Sequence, residues 1–174
     1  ITHRDRLCVV QISDGTGEEH LVRFSPESDY SAPNLKRLLA DTNRLKLYHF
    51  ARFDLAAIEY YLGVIAAPVF CTKIASKLVR TYTDRHGLAK LLQELLGIDI
   101  SKQQQSSDWG AETLTEAQIE YAASDVLYLH RLRDALDAIT LHRTARAALA
   151  DREPQSGVAL GPIGRTRQRG EVTV

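Results

Sequence analysis

The 174-residue sequence contains no methionine. A chain without Met does not include its own translation start. Ile1 is therefore expected to follow a processed start or to open a fragment whose N-terminal coding sequence is missing. Long apolar runs are also absent. None approaches the roughly 20 residues that a helix needs to cross a bilayer, and no signal-peptide pattern opens the sequence, so a membrane-spanning protein is not expected. Cysteine is scarce. Cys8 and Cys71 both sit in apolar runs, which reads as buried free thiols in a reducing compartment, the cytoplasm, rather than as a disulfide framework. Hydrophobic residues make up 44% of the chain and charged residues 25%, values that exclude a collagen and a wholly disordered chain. The length fits one domain.

Net charge is zero, with 22 Lys and Arg against 22 Asp and Glu. The balance conceals a split: 16 basic and 19 acidic residues over 1–139, then six Arg and three acids over 140–174. The later segment turns to Pro, Gly, Ser, Gln and Arg after Asp151 and loses apolar periodicity. A body over 1–139 and a basic, disordered tail over 140–174 are expected, with the Ala-rich stretch 145–150 open to extending a helix. Such a tail reads as a solvated segment in preference to a weak nucleic-acid contact.

What is present alternates strand and helix signals. Leu7–Ile12 and His20–Phe24 flank the turn-rich Ser13–Gly17 and predict an antiparallel hairpin. Ser31 is a candidate N-cap ahead of Pro33, with Leu35, Leu38 and Leu39 on one helical face. Leu45–Phe50 reads as a strand running into a helix over Ala51–Leu62, closed by Gly63. Val69–Cys71 reads as a short strand, followed by helices over Thr72–Val79 and Leu88–Leu96, the second stopped by Gly97. Thr115 and Gln118 form a capping box that opens a long helix to about Ile139. This order predicts an α/β fold with a mixed sheet flanked by helices.

Three groups of residues can carry chemistry. Tyr121 and Asp125 are spaced i, i+4, so on a helix the phenol and carboxylate share a face. The spacing is common, and by itself reads first as a solvated helix face. Asp54 lies where a strand enters a helix, the end of an α/β sheet at which ligands gather; a plain interaction with the helix dipole explains it equally well. His49, just ahead of it, reads more simply as a hydrogen-bonded structural histidine than as a base. Together, carboxylates from two elements can hold hard divalent cations, and a nearby tyrosine can orient water. Two acids are too few for the paired ions used in phosphodiester hydrolysis, and no D-x-E pair precedes Leu7. The third group, Lys102–Trp109, offers a cation, amides and hydroxyls suited to phosphate and sugar contacts, or forms a polar loop anchored on the core by Trp109. The basic segment Lys73–Arg85 faces a polyanion or solvent with equal plausibility.

His49–Leu55, Thr72–Leu88, Lys102–Trp109 and Tyr121–Leu129 resemble the bacterial ribonuclease D-type 3′–5′ exonucleases, the branch of the DnaQ-like superfamily whose third motif is Y-x-x-x-D. Leu7–Ser13, Cys71–Lys77 and the Lys102–Trp109 loop are similar to the short nanoRNase C subfamily. The resemblance covers roughly residues 2–138. It implies a ribonuclease H-like fold whose first, central strand is missing from the sequence as given. It also implies a site of four carboxylates and one tyrosine. Asp54 and Asp125 match two of the metal-binding acids, and Tyr121 matches the tyrosine that positions water. The D-x-E pair of the first motif is expected within roughly 30 residues ahead of Ile1. Beyond about Ile139 the resemblance fails, which a coding frameshift and a lineage difference explain equally well.

The implied function is hydrolysis of dinucleotides and short single-stranded RNA to nucleoside monophosphates, with two Mg²⁺ or Mn²⁺ ions and a homo-oligomeric working form. His49, Lys102, Gln103 and Ser106 are the expected substrate contacts. A DNA-directed exonuclease of the same superfamily is the nearest rival. A catalytically inactive nucleic-acid-binding or assembly module is the alternative that the absent D-x-E favours.

Overall fold

A computed structural model describes residues 6–150. Of the basic tail expected over 140–174, residues 140–150 belong instead to the last helix, and residues 151–174 lie outside the described residues.

Strands β1 (Val9–Ser13) and β2 (Glu19–Arg23) form the predicted antiparallel hairpin, with Val9 opposite Arg23 and Ser13 opposite Glu19. Its turn closes against a neighbouring helix. Gly15 has φ of +84°, and a Cβ there would come within 2.8 Å of the His130 ring, so both the conformation and the close approach require glycine. Helix α1 spans Pro33–Ala40 with Pro at its first turn, but its N-cap is Ala32 and no side chain caps it. The expected cap, Ser31, stands one residue too early. Its backbone N–H is instead held by the carboxylate of Asp29.

Strand β3 is only Lys46–Tyr48, shorter than the apolar run, and pairs in parallel with β4 (Val69–Cys71). The segment after it is α2 (Arg52–Ala57) followed by a π-helical turn over Ile58–Leu62, which ends at Gly63 in the left-handed region. Helices α3 (Thr72–Val79) and α4 (Leu88–Leu96) have the predicted bounds. The long C-terminal helix does not run through. It divides at Tyr128 into α5 (Glu116–Leu127), opened by the Thr115–Gln118 capping box, and α6 (Leu129–Ala150). No Pro or Gly marks this break, so the sequence carries no signal for it. Helix α6 also continues past Ile139 through the Ala-rich stretch.

Packing explains the division. Helix α5 lies on β1 and β2, whereas α6 lies on α3 and α4. One buried cluster joins Phe24, Leu35, Leu39, Ile58 and Leu62 beneath the hairpin and α1. A second joins Val79, Leu91, Leu92, Leu132 and Leu136 between α3, α4 and α6. One straight helix would not serve both surfaces.

The α/β class is as expected, but among the described residues the strands form two separate pairs, β1–β2 and β3–β4. Their facing sides are bridged by no ladder. Between them opens a cleft of ≈ 1210 Å³ lined by residues 6–14 on one side and 44–49 on the other. The cleft-facing edges of β1 and β3 pair with no further strand among the described residues.

Candidate active site

The same cleft collects the chemistry-bearing residues: His49, Asp54, Tyr121 and Asp125 all line it. Asp54 projects from the first turn of α2. Tyr121 and Asp125 project together from α5, because i and i+4 share a helical face. That helix is fixed beside the cleft by Gln118. Its backbone N–H donates to the Thr115 hydroxyl, while its side-chain oxygen accepts from the Thr115 N–H. Its amide nitrogen also donates to Ser107 Oγ at 3.2 Å and to the Asp108 carbonyl at 3.0 Å. The capping box therefore also ties the Lys102–Trp109 loop to the base of α5.

Electrostatics couple the two carboxylates. Burial pushes the Asp125 carboxyl up to about 6; a hydrogen bond from the Tyr121 hydroxyl opposes this, and the neighbouring Asp54 charge adds to it. Burial likewise raises Asp54 above the usual carboxylate range. Tyr48 is pushed up to about 12 by burial and then by the Asp54 charge. Tyr121 rises through burial first and the Asp125 charge second, so its phenol keeps its proton at neutral pH. Half-buried Asp125 and the more exposed Asp54, facing one cleft, are an arrangement that a bound cation relieves.

A pH dependence follows. A carboxyl raised in the folded state binds more protons there than in the unfolded chain, so stability falls as pH rises from about 4 to about 6. Asp125 is only partly buried, and solvent screening reduces the effect to about 1–2 kcal/mol. Urea titrations of the metal-free protein between pH 4 and 7 should show this loss. Asp125→Asn should flatten it, and an unchanged slope would contradict the assignment.

His49 is not a base in waiting. The Thr72 hydroxyl donates to the Tyr48 carbonyl at 3.1 Å, so at 2.9 Å it accepts from His49 Nδ1–H. That leaves Nε2 as a hydrogen-bond acceptor. Burial, reinforced by the Lys73 charge, lowers His49 to about 4, and the ring is neutral at physiological pH.

The loop residues divide differently from expectation. Lys102, Gln103 and Ser106 are exposed and do not line the cleft. Gln105 and Trp109 do. Trp109 packs its ring on Tyr121, centroids 6.0 Å apart, so the loop is anchored on the helix that carries the candidate site residues. Three successive glutamines are chemically equivalent in sequence, and only the turn geometry selects which one lines the cleft.

Among the described residues no group of three or more His, Cys, Asp or Glu side chains could hold a metal ion. The donor set suits a hard divalent cation in kind, through Asp54 and Asp125, and falls short in number. No helix among the described residues is long and apolar enough to cross a membrane.

Comparison with known proteins agrees with this geometry. Residues 1–140 match the model of a 3′–5′ exonuclease family. Ribonuclease D of Granulibacter bethesdensis is 36% identical over 140 residues, covering 78% of this chain and 35% of that protein. The chain thus spans about a third of the length of the curated relatives it matches. Among solved structures, Brucella melitensis NrnC bound to pGG superposes with a TM-score of 0.77 at 56% identity, covering 86% of this chain and 71% of that one. Brucella melitensis NrnC with bound Mg²⁺ gives 0.76 at 54% identity over the same shares. The chain belongs to the DnaQ-like 3′–5′ exonucleases, in the branch of ribonuclease D and NrnC.

Proposed function

We propose that this chain provides the body of a 3′–5′ exoribonuclease that removes nucleoside monophosphates from short single-stranded RNA, down to dinucleotides. The observation that carries the reading is the convergence of Asp54, Asp125 and Tyr121 on one cleft beside an open strand position. The pGG and the Mg²⁺ held in two structures of one relative, Brucella melitensis NrnC, support a short substrate and a divalent metal.

In this reading Asp54 and Asp125 hold Mg²⁺ or Mn²⁺ together with the two acids of a D-x-E strand seated in the cleft between β1 and β3. When bound, such ions supply charge stabilisation for both the attacking and the leaving oxygen. The residues of this chain do the positioning. Tyr121 keeps its proton and donates a hydrogen bond to Asp125, which leaves a lone pair on the phenolic oxygen to accept one from the attacking water. That water's oxygen bonds to phosphorus and the P–O3′ bond breaks. A nucleoside 5′-monophosphate leaves carrying the water's oxygen, and the proton that the water gives up passes through solvent to the new 3′-hydroxyl of the shortened RNA. His49 Nε2, an acceptor, suits a ribose hydroxyl of the substrate, and Gln105 supplies an amide elsewhere in the cleft lining. A homo-oligomer is the expected working form.

Fusing an acidic D-x-E strand ahead of residue 1 tests this. The fused chain should release mononucleotides from 5′-labelled RNA dinucleotides in Mn²⁺, and titration calorimetry should detect Mn²⁺ binding that Asp54→Asn abolishes. Faster turnover of the matched DNA dinucleotide would transfer the assignment to a DNA exonuclease. Absence of Mn²⁺ binding in the folded fusion would favour an inactive binding module, the reading to which the shortage of ligands points.

A further inference from the structure

The lip of the cleft carries two phenylalanines that core packing does not explain. Phe50 and Phe53 are 42% and 52% exposed, although a large aromatic side chain gains most by leaving water. Their rings meet edge to face with centroids 5.4 Å apart. Each ring carries a cation. Lys73 Nζ lies 3.8 Å from the centroid of Phe50, and Arg52 Cζ lies 5.5 Å from that of Phe53. Phe50 also has φ of +66°, a conformation that a bulky residue keeps only where its surroundings impose it. Phe53 itself lines the cleft, one residue from Asp54.

We propose that Phe50 and Phe53 form a stacking ledge for a base of the RNA whose scissile phosphate lies at Asp54 and Asp125, with Lys73 and Arg52 taking its neighbouring phosphates. The proposal rests on the nucleic-acid reading above and names how that site grips its substrate. Single-stranded nucleic acid combines flat π-faces with a regular negative backbone, and exposed rings flanked by cations match both. Continuity with the cleft decides between RNA and a second copy of this chain. A protein contact on the lip would cover the mouth through which the substrate enters. The rings reach no base edge that distinguishes one base from another, so the ledge accepts all four.

The test needs no turnover. A 5′-phosphorylated RNA trinucleotide carrying 2-aminopurine, whose fluorescence is quenched by stacking and which keeps phosphates beside the scissile one, is titrated into the full chain in Mn²⁺. Binding should be accompanied by quenching. Phe53→Leu and Phe50→Leu, which keep apolar bulk without a π-face, should each weaken binding by about tenfold, the scale of one lost stack. Phe53→Tyr should restore it to within about twofold. Lys73→Gln should reduce the slope of log affinity against log salt by about 0.7, one phosphate contact on a single strand. Binding with no quenching, or undiminished affinity in folded Leu variants, would overturn the ledge and leave the exonuclease reading intact. Leu variants that alter sedimentation while leaving affinity unchanged would assign the rings to a contact between copies and equally overturn it. Failure of the parent chain to bind any nucleotide would overturn the ledge, and the same failure in the D-x-E fusion would remove the exonuclease reading as well.

Discussion

Asp125→Asn is expected to lower RNA hydrolysis by at least about 10³-fold, or about 4 kcal/mol of transition-state stabilisation, in the chain completed by a D-x-E strand. The substitution is nearly isosteric, so the loss is chemical and not architectural. The substituted amide would still accept a hydrogen bond from the Tyr121 hydroxyl through its oxygen, which keeps the phenol in place. It would lack the charge that holds a divalent cation beside Asp54. Initial rates on 5′-labelled RNA dinucleotides across a Mn²⁺ titration measure the effect, and raising the metal concentration should recover little of it. A variant that keeps a tenth of the rate would remove Asp125 from the reacting centre. Metal-free stability at pH 7 should stay level or rise, because the change relieves the burial and repulsion that push Asp125 to about 6.

The second large effect concerns the fold. Leu132 is fully buried where α6 meets α3 and α4, against Val79, Leu91, Leu92 and Leu136. Leu132→Ala removes apolar atoms and leaves a cavity, at a cost of about 2–5 kcal/mol. In urea the midpoint should fall with an unchanged slope, and on heating the transition should drop by roughly 5–15 °C. Leu141, on the same helix but 72% exposed, is the control. Its replacement by Ala should change stability by no more than about 0.5 kcal/mol. A Leu132→Ala cost as small as that would mean that α6 is not anchored where the packing places it.

The contrast between these two residues marks what is legible in the sequence. Asp54, Tyr121 and Asp125 are legible as a candidate set only through the family motifs around them, because the i, i+4 spacing and the strand-to-helix junction are each common patterns. Leu132 and Leu136 are readable as core because their spacing repeats on one face. The break at Tyr128 is not. It arises from two helices having different partners, a tertiary demand that no residue near the joint announces. Gln105 is hidden among identical neighbours. Phe50 and Phe53 are hidden by their own chemistry, since an aromatic residue in sequence reads as interior until the fold turns it outward. Trp109 reads in sequence as a loop anchor, and the ring it packs on is the tyrosine of the site.

In concentrated solution the open edges of β1 and β3 are also a hazard. Among the described residues, neither side facing the cleft is covered by another strand, and an uncovered edge is a template for any extended chain. Natural edges are often guarded by an outward lysine or a proline. Here β1 carries neither, reading Val-Val-Gln-Ile-Ser. The one lysine of β3, Lys46, is turned inward, its ammonium held by the carbonyls of Asp41 and Ala67. Among the described residues the inward charge of Lys46 is therefore the one guard on these two edges, and what occupies the cleft between them governs how readily the chain associates with extended segments in solution.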